Sequence, residues 1–239
     1  MKPLAIDLFC GLGGWTEGLL AEGYDVIGFD IERHEYGDAK YPAQLVIQDV
    51  LTLHGRQFKD AALIVASPPC QAYSYRAMPW KRAKALPPPN NSLFEACFRI
   101  QREASEAAGR YIPLVVENVK GAQKWVGRAH AHFGSFYLWG DIPALMPIAQ
   151  GRKNNGGSWF NIGSPGQKET NRNPVHELAG IKQSGISGTR NNGKGDRWFQ
   201  DGAARHGSKS KARKAASALI AKIPMILARH VAATWRPSP

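Results

Sequence analysis

Two side chains in this sequence have the chemistry of a covalent reaction. Cys70 lies in the turn 67–71, directly after the apolar run 61–66. Pro68 and Pro69 restrict this turn and point the thiol outward, as a nucleophile requires and a packing cysteine does not. Glu117 follows a second apolar run, where desolvation would raise its pKa and let it donate a hydrogen. The alternative interpretation of Glu117 is a structural cap on a helix.

A glycine-rich turn follows the first apolar run of the chain. Gly11, Gly13 and Gly14 let the backbone approach a ligand closely and expose helix N-terminal amides to an anion. The spacing matches neither the dinucleotide fingerprint nor the phosphate loop. Asp30 lies 16 residues after Gly14, near the offset of about 20 residues at which an acid binds ribose hydroxyls. These features favour a nucleoside cofactor, although a plain strand-to-helix connection would also explain the turn.

Short apolar runs alternate with helical patterns along the first half of the chain. We predict strands over 4–9, 24–30, 43–47, 61–66 and 114–117, and helices over 15–20 and 92–108. The second helix would start with a capping box formed by Ser92 and Glu95. This alternation predicts an α/β fold with a doubly wound, mostly parallel sheet. Ligands of such sheets bind beyond the carboxyl ends of the strands, and the candidate residues Asp30, Asp49, Cys70 and Glu117 all follow strands.

In this order the motifs resemble those of the cytosine carbon-5 DNA methyltransferases. The matching residues are Asp7-Leu8-Phe9-Cys10-Gly11-Leu12-Gly13-Gly14, Asp30, Asp49, Pro69-Cys70-Gln71 and Glu117-Asn118-Val119. The resemblance covers about residues 4–120, and the chain looks most like the short solitary members carried by phages and prophages. It implies the Rossmann-like fold of class I methyltransferases and S-adenosylmethionine as methyl donor.

The resemblance also implies a role for each motif. Cys70 would add to carbon 6 of cytosine, Glu117 would act at ring nitrogen 3, and Arg152 would supply a cation. The donor would be bound by Asp7, Phe9, Gly11, Gly13, Gly14, Asp30, Ile31, Asp49, Val50 and Pro68. Among these, Asp30 would hold the ribose, Ile31 the adenine face and Asp49 the adenine amino group. The methionine side would contact Phe9, Gly11 and Gly13.

The net charge of the chain is concentrated in its C-terminal part. Residues 1–150 are neutral, whereas residues 151–239 hold 16 basic and 4 acidic side chains, which accounts for the whole charge of +12. We predict a donor-binding and catalytic domain over 1–150, a loop-rich basic target-recognition region over 151–207, and a helical segment over 208–239 that returns to the catalytic domain. So basic a region favours a nucleic-acid partner. The predicted nucleic-acid contacts are Gln71, Tyr73, Ser74, Arg76, Lys81, Arg82, Lys84, Lys153, Arg190, Lys194 and Arg197.

The composition of the chain is typical of a globular protein and argues against membrane, secreted and disulfide-stabilised classes. A hydrophobic content of 43% and a charged content of 21% are ordinary for a globular protein. No apolar run reaches the roughly 18 residues of a membrane span, and no signal peptide is evident, so we predict a cytoplasmic protein of a bacterium or a phage-infected cell. Three widely spaced cysteines predict neither a disulfide framework nor a metal site, and Cys10 and Cys97 are predicted to be packing residues.

Double-stranded DNA is the predicted partner, and we expect a monomer that could belong to a restriction-modification system. Two alternatives remain open. The same chemistry could act on RNA or on a free cytosine nucleotide. A non-catalytic DNA-binding or anti-restriction protein on this fold is the other alternative. It is favoured by Asn154 and Ala221, which stand where the family has an arginine and an asparagine.

Overall fold

The computed structural model describes residues 2–74, 85–147, 214, 218–219 and 221–237. Its strands are β1 (Leu4–Leu8), β2 (Asp25–Asp30), β3 (Gln44–Ile47), β4 (Ala61–Ala66), β5 (Leu114–Asn118), β6 (Ala131–Phe133) and β7 (Phe136–Gly140). Its helices are α1 (Gly14–Ala21), α2 (Ser92–Ala108), α3 (Gln123–Val126) and α4 (Met225–Trp235), with 3₁₀ turns at Val50–Thr52, Gly55–Phe58 and Lys120–Ala122. Among these described helices, none is long and apolar enough to cross a membrane. The predicted recognition region 151–207 lies outside the described residues.

All seven strands form one sheet in the order β3-β2-β1-β4-β5-β7-β6. Strands β1 to β5 pair in parallel, and β7 runs antiparallel to both β5 and β6. The predicted α/β class with a mostly parallel sheet is therefore confirmed. The β6–β7 hairpin was not predicted, because strands of 3 and 5 residues are too short to show a clear alternation of apolar and polar side chains.

Both faces of the sheet are covered by helices. In β4, Ile64 and Ala66 belong to the core beneath α2, whereas Leu63 and Val65 belong to the core beneath α1 and α4. Because successive side chains of a strand point to opposite faces, a strand buried on both sides must be apolar throughout. This explains the uninterrupted apolar sequence of β4, which occupies the centre of the sheet.

Helix α2 has the predicted bounds, but the predicted capping box is wrong. The residue before the first turn is Asn91, whose carbonyl accepts the Glu95 N–H at 2.9 Å and whose side chain makes no capping hydrogen bond. Ser92 is already helical, and its own N–H donates to Asn90 Oδ1 at 2.8 Å. The Asn91 amide instead accepts the Tyr73 hydroxyl at 3.0 Å. The start of α2 thus anchors the segment that follows the Cys70 turn.

Helices α1 and α4 pack with their backbones almost in contact. A Cβ atom at Gly18 would lie 2.4 Å from the Ala228 Cβ, and one at Gly14 would lie 2.3 Å from the Ile223 backbone nitrogen. The i, i+4 spacing of the two glycines places both on the face of α1 that α4 covers. No larger residue fits at either position without moving α4.

We therefore expect Gly18→Val to lower the free energy of unfolding by about 3 kcal/mol, because the added atoms overpack the contact with α4. The measurement is urea denaturation followed by circular dichroism. Ala21→Val is the matched control, since Ala21 is an exposed residue of the same helix and should lose less than about 1 kcal/mol through helix propensity. Equal losses in the two variants would contradict the close packing of α1 on α4.

Candidate active site

A cavity of about 380 Å³ lies at the carboxyl ends of the parallel strands. The predicted site residues that line it are Phe9, Gly11, Gly14, Asp30, Ile31, Asp49, Val50, Pro68, Cys70, Gln71 and Glu117. Because of the strand order, Asp30 at the end of β2 and Asp49 after β3 lie on one side. Cys70 after β4 and Glu117 near the end of β5 lie on the other. The glycine turn after β1 lies between these groups. One cavity is therefore lined both by the two acids expected to bind a nucleoside, Asp30 and Asp49, and by the Cys70 thiol and the Glu117 carboxyl group.

The glycine turn has the left-handed backbone that its sequence predicts. Gly11 and Gly13 have φ angles of 51° and 77°, and Phe9 shares this region with a φ of 58°, a conformation that is strained for a bulky residue. A Cβ atom at Gly11 would meet no protein atom within 4 Å, so the space beside it is open. Gly13 does not line the cavity; its Cβ would lie 2.5 Å from Pro42.

The Asp30 carboxylate is held by three donors. Its Oδ2 accepts the Gly11 N–H at 2.9 Å, and its Oδ1 accepts the Glu32 N–H at 3.3 Å and lies 3.5 Å from His34 Nε2. Burial alone would raise the pKa of Asp30, but these hydrogen bonds lower it below its usual range. The hydrogen bond to Asp30 in turn raises the pKa of His34. His34 lines the cavity and was not singled out from the sequence.

Two long-range hydrogen bonds hold the turn that carries Cys70. The Asn118 amide donates to the Pro68 carbonyl at 2.9 Å, and its Oδ1 accepts the Val119 N–H at 2.8 Å. On the opposite side, Trp15 Nε1 donates to Ser67 Oγ at 3.0 Å. Asn118 directly follows Glu117 in β5, so one side chain ties the strand of the carboxyl group to the turn of the thiol. We predicted neither hydrogen bond.

The three cysteines have different surroundings, and none of them forms a disulfide. Cys10 and Cys97 are buried, with 6% and 0% of their surface exposed. Burial raises the pKa of both thiols, which suppresses the reactive thiolate. Cys10 and Cys70 both line the cavity, but Cys70 is half-buried, whereas Cys10 is buried. The structure therefore agrees with the predicted packing of Cys10 and Cys97, and leaves Cys70 as the candidate nucleophile.

Asp7 does not line the cavity but lies buried beneath it. Its Oδ2 accepts the Thr16 hydroxyl at 2.7 Å, and Thr16 Oγ1 is also 2.6 Å from the Tyr41 hydroxyl. Its Oδ1 has no hydrogen-bond partner in the described part of the chain. Burial is the main cause that raises the pKa of Asp7 to about 7, with a smaller contribution from the charge of Asp30. Asp7 supports the glycine turn from within the fold.

This raised pKa predicts a pH-dependent stability. A carboxyl with a folded pKa of about 7 and an ordinary value of 3.8 stabilises the fold most below about pH 4 and loses that contribution as the pH rises towards 7. In the wild type, the free energy of unfolding should decline by about 3 kcal/mol between about pH 5 and pH 8. Asp7→Asn should abolish this decline, because asparagine resembles the protonated acid and does not ionise. The measurement is the free energy of unfolding at several pH values between about 5 and 8. Asp25→Asn, on the surface beside Lys2, should keep the wild-type slope. An unchanged slope in Asp7→Asn would disprove the assignment.

The predicted nucleic-acid contacts fall into three groups. Gln71 is exposed at the cavity, and Ser74 is half-buried after it. Tyr73 is only 4% exposed and its hydroxyl is bound to Asn91, so it holds this segment in place and offers no surface to a nucleic acid. Outside the described residues lie Arg76, Lys81, Arg82, Lys84, Lys153, Arg190, Lys194 and Arg197, and so does Arg152, the predicted catalytic cation.

Metal-ligand groups were also sought in the described ranges. No cluster of three or more His, Cys, Asp or Glu side chains there could hold a metal ion. His130 Nδ1 instead lies 2.8 Å from the Gly140 carbonyl oxygen, and the His132 ring stacks on Tyr137 at a centroid distance of 5.1 Å.

The part of the sequence that forms most of the cavity matches a known protein family. Residues 4–129 match the family described as C-5 cytosine-specific DNA methylase, which is more than half of the 239 residues. The chain belongs to this family. The matched range includes the glycine turn, Asp30, Asp49, Cys70 and Glu117, and the resemblance stated from the sequence is confirmed.

Solved structures with a similar fold include several methyltransferases. A protein described as a DNA modification methyltransferase encoded within a prophage, from E. coli, is 24% identical, with a TM-score of 0.37 over 53% of this chain and 35% of that chain. The Dnmt2 methyltransferase of S. pombe is 17% identical, with a TM-score of 0.36 over 53% of this chain and 37% of that one. The methyltransferase EhMeth of Entamoeba histolytica is 16% identical, with a TM-score of 0.36 over 53% and 41%. No curated protein sequence matches this member of the C-5 cytosine-specific DNA methylase family.

Proposed function

We propose that this protein is a DNA (cytosine-5-)-methyltransferase, which transfers a methyl group from S-adenosylmethionine to carbon 5 of cytosine in double-stranded DNA. One observation carries the proposal: Asp30 and Asp49 line the same cavity as Cys70 and Glu117. A nucleoside donor and a reactive thiol can therefore meet in one place. We further propose that it acts as a monomer in the cytoplasm of a bacterium or a phage-infected cell.

The cavity suits the donor in size and in chemistry. Its volume of about 380 Å³ is within the usual range of roughly 300–1,000 Å³ for small-molecule sites. Asp30 would accept the ribose hydroxyls, and the exposed Ile31 would cover the adenine, since 70% of its surface is accessible. Asp49 would accept the adenine amino group, and the open space beside Gly11 would admit the methionine part. When bound, S-adenosylmethionine supplies the electrophilic methyl group that carbon 5 receives.

Cys70 and Glu117 would make carbon 5 of cytosine nucleophilic. The Cys70 thiolate forms a bond to carbon 6, and the electron pair displaced from the 5,6 double bond raises the electron density on carbon 5. Glu117, 8% exposed, donates its proton at ring nitrogen 3 and thereby absorbs the charge that develops on the ring. A water molecule then takes the carbon 5 proton, and the electron pair of that C–H bond re-forms the 5,6 double bond and expels the Cys70 sulfur from carbon 6 as a thiolate. Ring nitrogen 3 returns its proton to Glu117, which releases the methylated cytosine.

This chemistry requires a cytosine that has left the base stack. The exposed Gln71 beside Cys70 and the half-buried Ser74 would contact the extruded nucleotide. The basic side chains of residues 151–239 would bind the DNA backbone, since their excess of positive charge is attracted to the phosphates. A free nucleotide would not require so extended a basic surface.

The test is transfer of a labelled methyl group from S-adenosylmethionine to duplex DNA, transfer RNA and dCMP offered in parallel. We expect label only in duplex DNA, and bisulfite sequencing of that DNA would give the target site. Label in the transfer RNA or in dCMP would show that RNA or the free nucleotide, and not duplex DNA, is the substrate. No label in any of the three, from protein that binds the donor, would favour the non-catalytic DNA-binding alternative.

A further inference from the structure

Among the described residues that line the cavity, acidic side chains outnumber lysine and arginine side chains. Four of them are acids: Asp30, Glu32, Asp49 and Glu117. In the described part of the chain, Lys222 is the one lysine or arginine among the lining residues. The donor carries one anionic group, the carboxylate of its methionine part. Because a carboxylate among acids is repelled unless a cation is close, this lysine is the natural partner for it.

Lys222 reaches the cavity from the segment that precedes α4. Its Cγ would lie 2.9 Å from a Cβ at Gly14, so its aliphatic stem passes over the first residue of α1. Its ammonium forms an ion pair with Glu17 in the next turn of α1. The side chain is only 19% exposed, which limits its screening by water. An ammonium group has three donors, so the ion pair with Glu17 leaves it able to donate to a ligand.

Among the described lining residues next to Lys222, the side chains of Ala218, Ala221 and Ile223 offer no hydrogen-bond donor. Ala221 presents a methyl group, and Ala218 and Ile223 are apolar. The Gly14 end of α1 adds the positive end of a helix dipole on the same side. We propose that Lys222 binds the methionine carboxylate of the donor and that Glu17 orients its ammonium group. This inference rests on the proposed function, since it assumes that S-adenosylmethionine occupies the cavity.

The experiment is a thermodynamic cycle with two ligands and isothermal titration calorimetry. S-adenosylhomocysteine keeps the carboxylate, and its decarboxylated form lacks only that group. Wild-type protein should bind the first about 10- to 100-fold more tightly than the second, as expected for a hydrogen bond between charged groups. In Lys222→Met this difference should disappear, and in Lys222→Arg most of it should remain. The control is Arg229→Met, because Arg229 pairs with Glu22 at 2.6 Å and also joins α4 to α1, yet does not line the cavity.

Each outcome has a distinct meaning. If Lys222→Met loses affinity for both ligands equally, its role is only to hold α4 against α1, and the inference is overturned. An unchanged preference for the carboxylate ligand would overturn it too. The wild-type comparison of the two ligands tests the inference even if Lys222→Met does not fold, since equal affinities would exclude a carboxylate partner. If the wild type binds S-adenosylhomocysteine but shows no such preference, the inference alone fails, whereas binding of neither ligand contradicts the proposed function itself.

Discussion

Cys70→Ser should form no covalent complex with duplex DNA that contains 5-fluorocytosine, whereas the wild type should be trapped on it. The fluorine replaces the proton that must leave carbon 5, so the bond between carbon 6 and the Cys70 sulfur cannot be released. A serine hydroxyl is far less ionised than a thiol and is a weak nucleophile at neutral pH. We expect methyl transfer by the variant to fall by about 10⁴-fold or more. The measurements are denaturing gel electrophoresis of the trapped complex and labelled methyl transfer.

The matched control is Cys97→Ala, which removes a thiol that lies in the core beneath α2. This variant should be less stable, because it leaves a small void, but it should still be trapped. Cys70→Ser should bind S-adenosylhomocysteine as tightly as the wild type, since the serine changes one atom on the far side of the cavity from Asp30 and Asp49. A trapped complex with Cys70→Ser would assign the nucleophile to another residue.

Glu117→Gln should slow methyl transfer by about 10²- to 10⁴-fold, the usual contribution of a general acid. Glutamine keeps the shape of the side chain but cannot deliver a proton to ring nitrogen 3. The hydrogen bond from Asn118 to Pro68 involves neither carboxyl oxygen of Glu117, so the Cys70 turn should stay in place. The measurement is single-turnover methyl transfer with donor binding checked by calorimetry.

Glu106→Gln is the control for this second variant, because Glu106 is an exposed acid on α2 that does not line the cavity. It should transfer methyl groups at the wild-type rate. If Glu117→Gln matched that rate, Glu117 would be a structural cap on a helix, which is the alternative that its sequence left open.

The five parallel strands could be predicted because each is a short apolar run that ends at a polar or special residue. The same residues, among them Asp30, Cys70 and Glu117, then mark the carboxyl ends where ligands of such sheets bind. The capping of α2 was misjudged because Asn90, Asn91 and Ser92 all carry side-chain acceptors, and local sequence does not decide which of them is used. Tertiary contacts of Tyr73 decide it, since they occupy Asn91.

The parts of the site that the sequence did not reveal depend on contacts between distant residues. Asn118 and Pro68 are 50 positions apart, Trp15 and Ser67 are 52 apart, and Lys222 and Glu17 are 205 apart. No short pattern encodes such pairs, because each depends on how the sheet and its helices are assembled. Single motifs can therefore indicate which residues react, but not which residues hold them.

The contacts of α4 also have a consequence for engineering. His230 Nε2 donates to the Leu145 carbonyl at 2.6 Å, and Trp235 Nε1 donates to the Asp141 carbonyl at 3.0 Å. The two described stretches on either side of the predicted recognition region are thus joined to each other by hydrogen bonds. A segment whose flanking stretches are held together in this way tolerates replacement better than one whose ends are far apart. We expect exchange of the predicted recognition region 151–207 alone to change the target preference, while residues 218–223, which include lining residues of the cavity, are kept.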